Sequence, residues 1–226
     1  MSSLLAIIQS RTNSKRLKNK ALLKIYGLPM IHHVVNNVKK SKKIKMVIVA
    51  TSKEKSDDKL VQYLKEKEIK YYRGNLNNVA LRLANTAKKY KAKYFLRISG
   101  DSPLIDYKII NKAIKLLKKS NNIDIITNVY PRSFPKGQSV EIIKSKLLIK
   151  NLKKFKPEDK EHVTTYFYKN AKKFRIKNFC IKRKYKLSNL SIDTIKDFKN
   201  IKKNVPQKKF YNFEIIWGLM QVLLVW

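Results

Sequence analysis

The chain has 226 residues, with 53 Lys and Arg against 15 Asp and Glu, a formal charge of +38. Its hydrophobic share of 43% is that of an ordinary globular protein. Cys180 is the only cysteine, which excludes an intrachain disulfide and thiolate-cluster metal sites and fits a reducing, cytoplasmic compartment.

In chain order, the run LLAIIQ at residues 4–9 predicts a strand buried on both faces. A polar, basic loop occupies residues 10–20, and Pro29 stands at the first turn of a helix carrying Ile31, Val34, Val35 and Val38 at helical spacing. A strand is expected over 46–51, a helix over 56–67 capped by Ser56, and a short strand over 69–72. A helix over 77–90 places Val79, Leu83 and Ala87 in register, and the strand YFLRIS at 94–99 runs into Gly100-Asp101-Ser102-Pro103. Beyond it come a helix over 107–119 with Asp106 as its cap, a strand over 123–127, and helices over 145–154 and 160–173. A strand over 174–181, a strand over 190–192, and helices over 194–203 and 212–224 complete the order.

Strands alternating with helices predict an α/β fold with a mostly parallel central sheet covered on both faces. No Gly/Pro/Ser-rich linker or internal repeat divides residues 1–226, so a single domain is expected. The apolar run at 215–226 is shorter than the ~20 residues that span a bilayer and is expected to be a buried terminal helix, with no transmembrane segment. The lysines occur largely as dispersed pairs such as Lys39-Lys40, Lys88-Lys89 and Lys172-Lys173. That pattern suits solvated helix faces better than a dedicated polyanion surface.

Ligands of open α/β sheets bind beyond the carboxyl ends of the strands, which directs attention to residues 10–20, 99–106 and the turn ending at Asp193. The first loop carries Arg11, Lys15, Arg16, Lys18 and Lys20 with Ser10, Thr12 and Ser14 directly after a buried strand. Cations and backbone N–H groups in that position match the charge of a polyphosphate, although a solvated basic loop has the same composition. The chain contains no G-x-x-x-x-G-K-[ST] phosphate loop and no G-x-S-x-G nucleophile elbow. Asp101 ends a strand where a carboxylate could hold Mg²⁺ against phosphate oxygens, or could cap a turn before Pro103. Asp193-Thr194 stands equally between a metal role and a helix cap. His32 and His33, at adjacent helical positions, cannot share a face and are expected to pack.

Five stretches, taken in order, resemble the SpsF-like cytidylyltransferases, relatives of the enzymes that activate acylneuraminate and related keto-sugar acids. They are IIQSRTNSKRLKNKAL at 7–22, Tyr72-Arg73-Gly74, RISGDSPLID at 97–106, Glu161-His162-Val163-Thr164, and Ile192-Asp193-Thr194 with Asp197-Phe198. The ordered set covers nearly the whole chain and is specific where no single segment is. The resemblance implies a Rossmann-like nucleotide-diphospho-sugar transferase fold and transfer of CMP from CTP, or another nucleoside triphosphate, to a sugar in glycan biosynthesis. It implies Mg²⁺ as cofactor, and homodimers are common among the relatives. Arg11, Ser14, Arg16 and Lys20 would then bind the triphosphate, with Arg11 and Lys20 catalytic and Gly100 and Arg73 helping to hold the nucleotide. Asp101 and Asp193 would ligate the metal, and Glu141 and His162 would face the sugar.

The chain departs from the family pattern at Asn13, where Gly is usual, and at Lys18-Asn19, where Pro-Gly is usual; Asn can supply the positive φ such positions need. Lys136 and Ser139 stand where the family commonly has Asp. Two other readings stay open at this level. One is a non-catalytic nucleotide-binding relative. The other is a basic nucleic-acid-binding protein that stacks bases on aromatics such as those of Lys70-Tyr71-Tyr72-Arg73 and Tyr166-Phe167-Tyr168-Lys169.

Overall fold

The continuous apolar run that opens the chain becomes β1 (Leu4–Gln9), whose alternate side chains point to opposite faces. Leu4, Ala6 and Ile8 enter one core, while Leu5 and Ile7 enter another across the sheet. A strand buried on both faces has to be central, and β1 pairs in parallel with β4 (Ile44–Ser52) on one side and β6 (Tyr94–Ser99) on the other. The computed structural model describes residues 4–14, 16–181, 189–207 and 210.

Before β4 come a two-stranded ribbon, β2 (Lys24–Ile25) and β3 (Leu28–Pro29), and α1 (Met30–Lys39). Pro29 directly precedes this helix, so its missing N–H falls where no intrahelical bond is lost. After β4 the order is α2 (Asp58–Glu66), β5 (Tyr71–Gly74), α3 (Val79–Lys89), β6 and α4 (Tyr107–Lys118). β7 (Ile125–Thr127), β8 (Glu141–Lys144), α5 (Ser145–Asn151), α6 (Pro157–Glu161), α7 (Thr165–Lys169), β9 (Ile176–Asn178) and α8 (Ile195–Asn204) follow. The main sheet has seven strands in the order β5-β4-β1-β6-β8-β7-β9. It is mostly parallel; β8 alone runs against both its neighbours.

The core on one face takes Ile31, Val34, Val35 and Val38 from α1 with Ile109, Ile110 and Ala113 from α4. The other takes Val79, Ala80, Leu83, Ala84 and Ala87 from α3, with Leu148 and Phe167. Each large aliphatic side chain sealed in this way contributes about 1.5–3 kcal/mol. A third apolar cluster, including Ile25, Met30, Leu104, Ile192 and Ile201, packs α8 beneath the loop that follows β6.

Several expectations are corrected. Ser56 does not cap a helix: residues Lys55–Asp57 form a short 3-10 turn, and α2 starts only at Asp58. The helix expected over 160–173 is broken into α6, α7 and the 3-10 turn Ala171–Lys173. The break lets Val163 and Phe167 sink into the core while Glu161 and His162 turn toward a cavity. The strand expected over 174–181 contracts to β9, and residues 190–192 form no strand; an isolated bridge joins Asn189 to Lys136. β8 had no strong alternation to announce it. The helix expected over 212–224 lies outside the described residues, as does the whole apolar run 215–226. No helix among the described residues is long and apolar enough to cross a membrane.

Candidate active site

Strand order reverses around β1, so β1 and β6 end side by side at the rim of the sheet, the usual ligand crevice of such folds. The Gly100 N–H donates to the Gln9 carbonyl at 2.8 Å, locking the two strand ends together. A side chain at Gly100 would place its Cβ 2.7 Å from the Ser10 side chain and 2.9 Å from the Gln9 carbonyl, so only glycine permits this approach. Gly100 is therefore needed for the rim itself.

The basic loop that leaves β1 is shaped by a residue that sequence reading did not single out. Asp57 is fully buried. Its carboxylate accepts hydrogen bonds from the Thr12 N–H and Thr12 hydroxyl, each at 2.7 Å, from the Ser52 N–H at 2.9 Å, and from the Ser52 hydroxyl. Burial alone would raise its pKa, but these donors hold it below the ordinary carboxylate value. The Thr12 carbonyl in turn accepts from the Ser14 and Asn19 N–H groups at 2.9 Å each, which pinches the loop. Asn19 takes the left-handed conformation at φ 55°, as expected for its substitution of glycine; Asn13 is not among the residues with positive φ.

This loop forms one wall of a cavity of about 710 Å³. Arg11, Ser14, Arg16, Lys20, Gly100, Asp101, His162 and Asp193 all line it, so eight of the ten residues expected at the site are brought together. The Lys20 ammonium lies 3.3 Å from Asp101 and 2.9 Å from Asp193, although 81 and 173 positions separate it from them in the chain. Arg16 also reaches Asp193, at 3.0 Å, and Arg11 pairs with Glu161 at 2.9 Å.

Two backbone devices make the aspartates meet. The Ile192 N–H donates to the Asp101 carbonyl at 2.9 Å, stitching the approach to α8 against the loop after β6. Gly137, at φ 87°, packs so closely that a Cβ there would fall 2.5 Å from Leu190, which holds the same approach from behind. Asp193 does not cap α8. That task falls to Thr194 and Asp197 in a reciprocal capping box, and the Asp197 carboxylate also accepts the Asp193 N–H at 3.1 Å. Asp106, by contrast, is the cap of α4, accepting from the Lys108 N–H at 2.7 Å.

The remaining expected residues sit away from the cavity wall. Arg73 donates to the Ser52 and Glu54 carbonyls at 2.9 and 3.0 Å and pairs with Asp58 at 2.7 Å. It braces the segment that carries Asp57. Glu141, expected to face the sugar, is not a lining residue. It is buried, ion-paired with Arg97, and accepts from the Tyr168 hydroxyl at 2.5 Å. Burial, reinforced by this carboxylate, raises the Tyr168 pKa well above its ordinary value. Arg97 does line the cavity, so Glu141 acts on it at one remove.

Arg82 is a second lining residue that sequence reading missed. It is 2% exposed, and its guanidinium donates to the Asn75 and Leu76 carbonyls at 2.5 and 3.3 Å. Burial, then the nearby Arg11 charge, lowers its pKa to about 10. Its signal was available: a cation inside the apolar stripe of α3. His33 packs as expected, its ring 2.8 Å from the Ile25 carbonyl, and His32 meets the Tyr63 hydroxyl at 2.7 Å.

Among the described residues, no group of three or more His, Cys, Asp or Glu gathers into a metal cage. Mg²⁺ does not require one, since it typically takes one or two carboxylates and completes its shell with phosphate and water. The Lys20 ammonium, held by both aspartates, is a stand-in cation showing that the two carboxylates converge on one positive charge. The donor set therefore fits a hard divalent ion shared with a phosphate ligand.

Comparison with known proteins shows the family and the fold. The family model described as cytidylyltransferase matches residues 5–216. The chain is 36% identical to the uncharacterized protein MJ1063 of Methanocaldococcus jannaschii over 201 residues, covering 87% of this chain and 80% of that one. It is 25% identical to the spore coat polysaccharide biosynthesis protein SpsF of Bacillus subtilis over 211 residues, covering 89% and 86%. A solved cytidylyltransferase structure from Leptospira borgpetersenii superposes with a TM-score of 0.87 at 29% identity, covering 100% of this chain and 98% of that one. With a rim glycine, a clamped cationic loop and paired aspartates in one crevice, this chain belongs to the cytidylyltransferase family.

Proposed function

We propose that the chain transfers CMP from CTP to a keto-sugar acid or related sugar with release of pyrophosphate, dependent on Mg²⁺, in surface polysaccharide or glycan biosynthesis. The observation that carries this reading is the meeting of Lys20 with Asp101 and Asp193 on the wall of one cavity. In the reaction, a sugar hydroxyl oxygen bonds to the α-phosphorus, the bond from that phosphorus to the bridging oxygen breaks, and the hydroxyl proton is released.

Arg11, Arg16 and Lys20 are the side chains that would hold the β- and γ-phosphates, spreading the negative charge that gathers on the departing pyrophosphate. The Ser14 hydroxyl would add a donor, the Thr12, Ser14 and Asn19 N–H groups being taken up within the loop anchor. Mg²⁺, held by Asp101 and Asp193, would supply further neutralisation of phosphate charge when bound. Arg82 holds the carbonyls of residues 75 and 76 and so sets the shape of the wall that includes Leu76 and Asn77. Arg97 and His162 also line the cavity and are polar groups suited to an anionic sugar.

The test is a pyrophosphate-release screen of four nucleoside triphosphates against a panel of keto-sugar acids, with Mg²⁺ and with chelator. Release with CTP and one class of sugar acid, abolished by chelator, is the expected result. Tight CTP binding without turnover on any sugar would instead assign the chain to non-catalytic nucleotide binding.

A further inference from the structure

The geometry points to Lys20 as an exchangeable counter-ion: its ammonium occupies the place of the divalent cation between Asp101 and Asp193, and the triphosphate must draw it away before metal can enter. Nucleotide and metal would then bind as a coupled pair. The inference rests on the proposed CTP and Mg²⁺ reading and adds an order and a coupling to it.

Two observations carry it. The ammonium lies within 2.9–3.3 Å of both carboxylates and 3.4 Å from the Ile192 carbonyl, so it is tightly coordinated by oxygen. A divalent ion held by the Asp101 and Asp193 carboxylates would need the space that the ammonium fills. The two cations exclude each other. Finally, Lys20 opens the short 3-10 turn Lys20–Leu22, whose Ala21 is buried, so the backbone is anchored while the four-carbon stem is free to change partner.

Arg16 strengthens the effect by pairing with Asp193 at 3.0 Å. A triphosphate offers both cations new anionic partners and leaves the carboxylates to the metal. By linkage, whatever factor nucleotide gives to metal affinity, metal returns to nucleotide affinity. A unit charge about 4 Å from a divalent ion, even at the dielectric of water, weakens binding about thirtyfold.

The experiment titrates nucleotide-free protein with Mn²⁺, reading free Mn²⁺ by electron paramagnetic resonance. Lys20→Met is expected to bind Mn²⁺ about thirtyfold more tightly than wild type. Lys20→Arg, which keeps the charge, should remain as weak as wild type, and adding Asp193→Asn to Lys20→Met should erase the gain. Thermal melts of each variant verify folding. Lys20→Met binding Mn²⁺ no more tightly than wild type would overturn the inference. A parallel titration of wild type with CTP and Mn²⁺ separates the two levels: normal CTP binding alongside that failure sinks the exchange alone, whereas failure to bind CTP sinks the underlying reading as well.

Discussion

The two ends of the central sheet are both rich in cations but differ in their carboxylates: among the described residues, the cations lining the amino-terminal groove have one carboxylate partner, Asp124, which lies 3.8 Å from Lys144. At the amino-terminal end, a groove of about 1070 Å³ is lined by Lys42, Lys43, Lys45, Lys93, Lys118 and Lys144 with Asn121 and Asn122. At the carboxyl end, in a smaller cavity of about 710 Å³, Arg11, Arg16 and Lys20 each engage a carboxylate, and two of those carboxylates share a single ammonium. A net charge of +38 describes both ends equally well. What distinguishes a site is fixed geometry of opposite charges, which costs the fold buried anchors such as Asp57 and Gly100, whereas solvated lysines ask for none.

That contrast can be broken by substitution, and the effects should fall in a definite order. Asp101→Ala removes a carboxylate from the paired end and is expected to lower pyrophosphate release about 10³-fold, measured under saturating CTP. Lys20→Met removes one preorganised cation and should cost about 10²-fold in kcat in the same assay.

Asp57→Asn keeps the shape of the loop anchor but removes its charge; a loss of about tenfold in kcat/KM is expected from misplacement of the loop. The same change should cost about 2 kcal/mol of stability, since hydrogen bonds to a charged group are lost or weakened. The pH dependence has a definite sign. The folded pKa of Asp57 is depressed below 3.8, so its stabilisation is present above that value and disappears as pH falls through the folded pKa. Melting curves of wild type and Asp57→Asn should therefore differ most above about pH 4 and converge in stronger acid. Smallest of all, Lys42→Gln with Lys118→Gln at the opposite groove should change turnover by less than about twofold, because exposed charges contribute little at a distance beyond the screening length.

How much of this was legible in the sequence depends on the kind of force involved. β1 was read to the residue because a strand buried on both faces leaves an uninterrupted apolar run, and β6, though interrupted by Arg97, was bounded by the Gly100-Asp101-Ser102-Pro103 turn that ends it. The cationic loop and Asp101 stood out because local composition and strand position marked them. That Lys20 and Asp193 belong to one site came from family resemblance; their ion pair was not foreseen, since it depends on the Ile192–Asp101 backbone bond across the fold. Asp57 went unread for the same reason: its donors, Thr12 and Ser52, are supplied by two other segments. Glu141 was expected to face the sugar because the Arg97 that neutralises it lies on a neighbouring strand, out of reach of any local pattern. The 160–173 region was over-extended as one helix because Lys-rich spacing satisfies a helical pattern, while the demand that His162 face the cavity does not show in periodicity.

The most direct examination of the paired end is a crystal of the protein grown with CTP and Mn²⁺, using anomalous scattering to locate the metal. The account predicts a peak between the Asp101 and Asp193 carboxylates, phosphates lying along residues 11–20, and the Lys20 ammonium moved onto a phosphate oxygen. Manganese elsewhere, or CTP bound away from the loop with Lys20 still bridging the two aspartates, would contradict it.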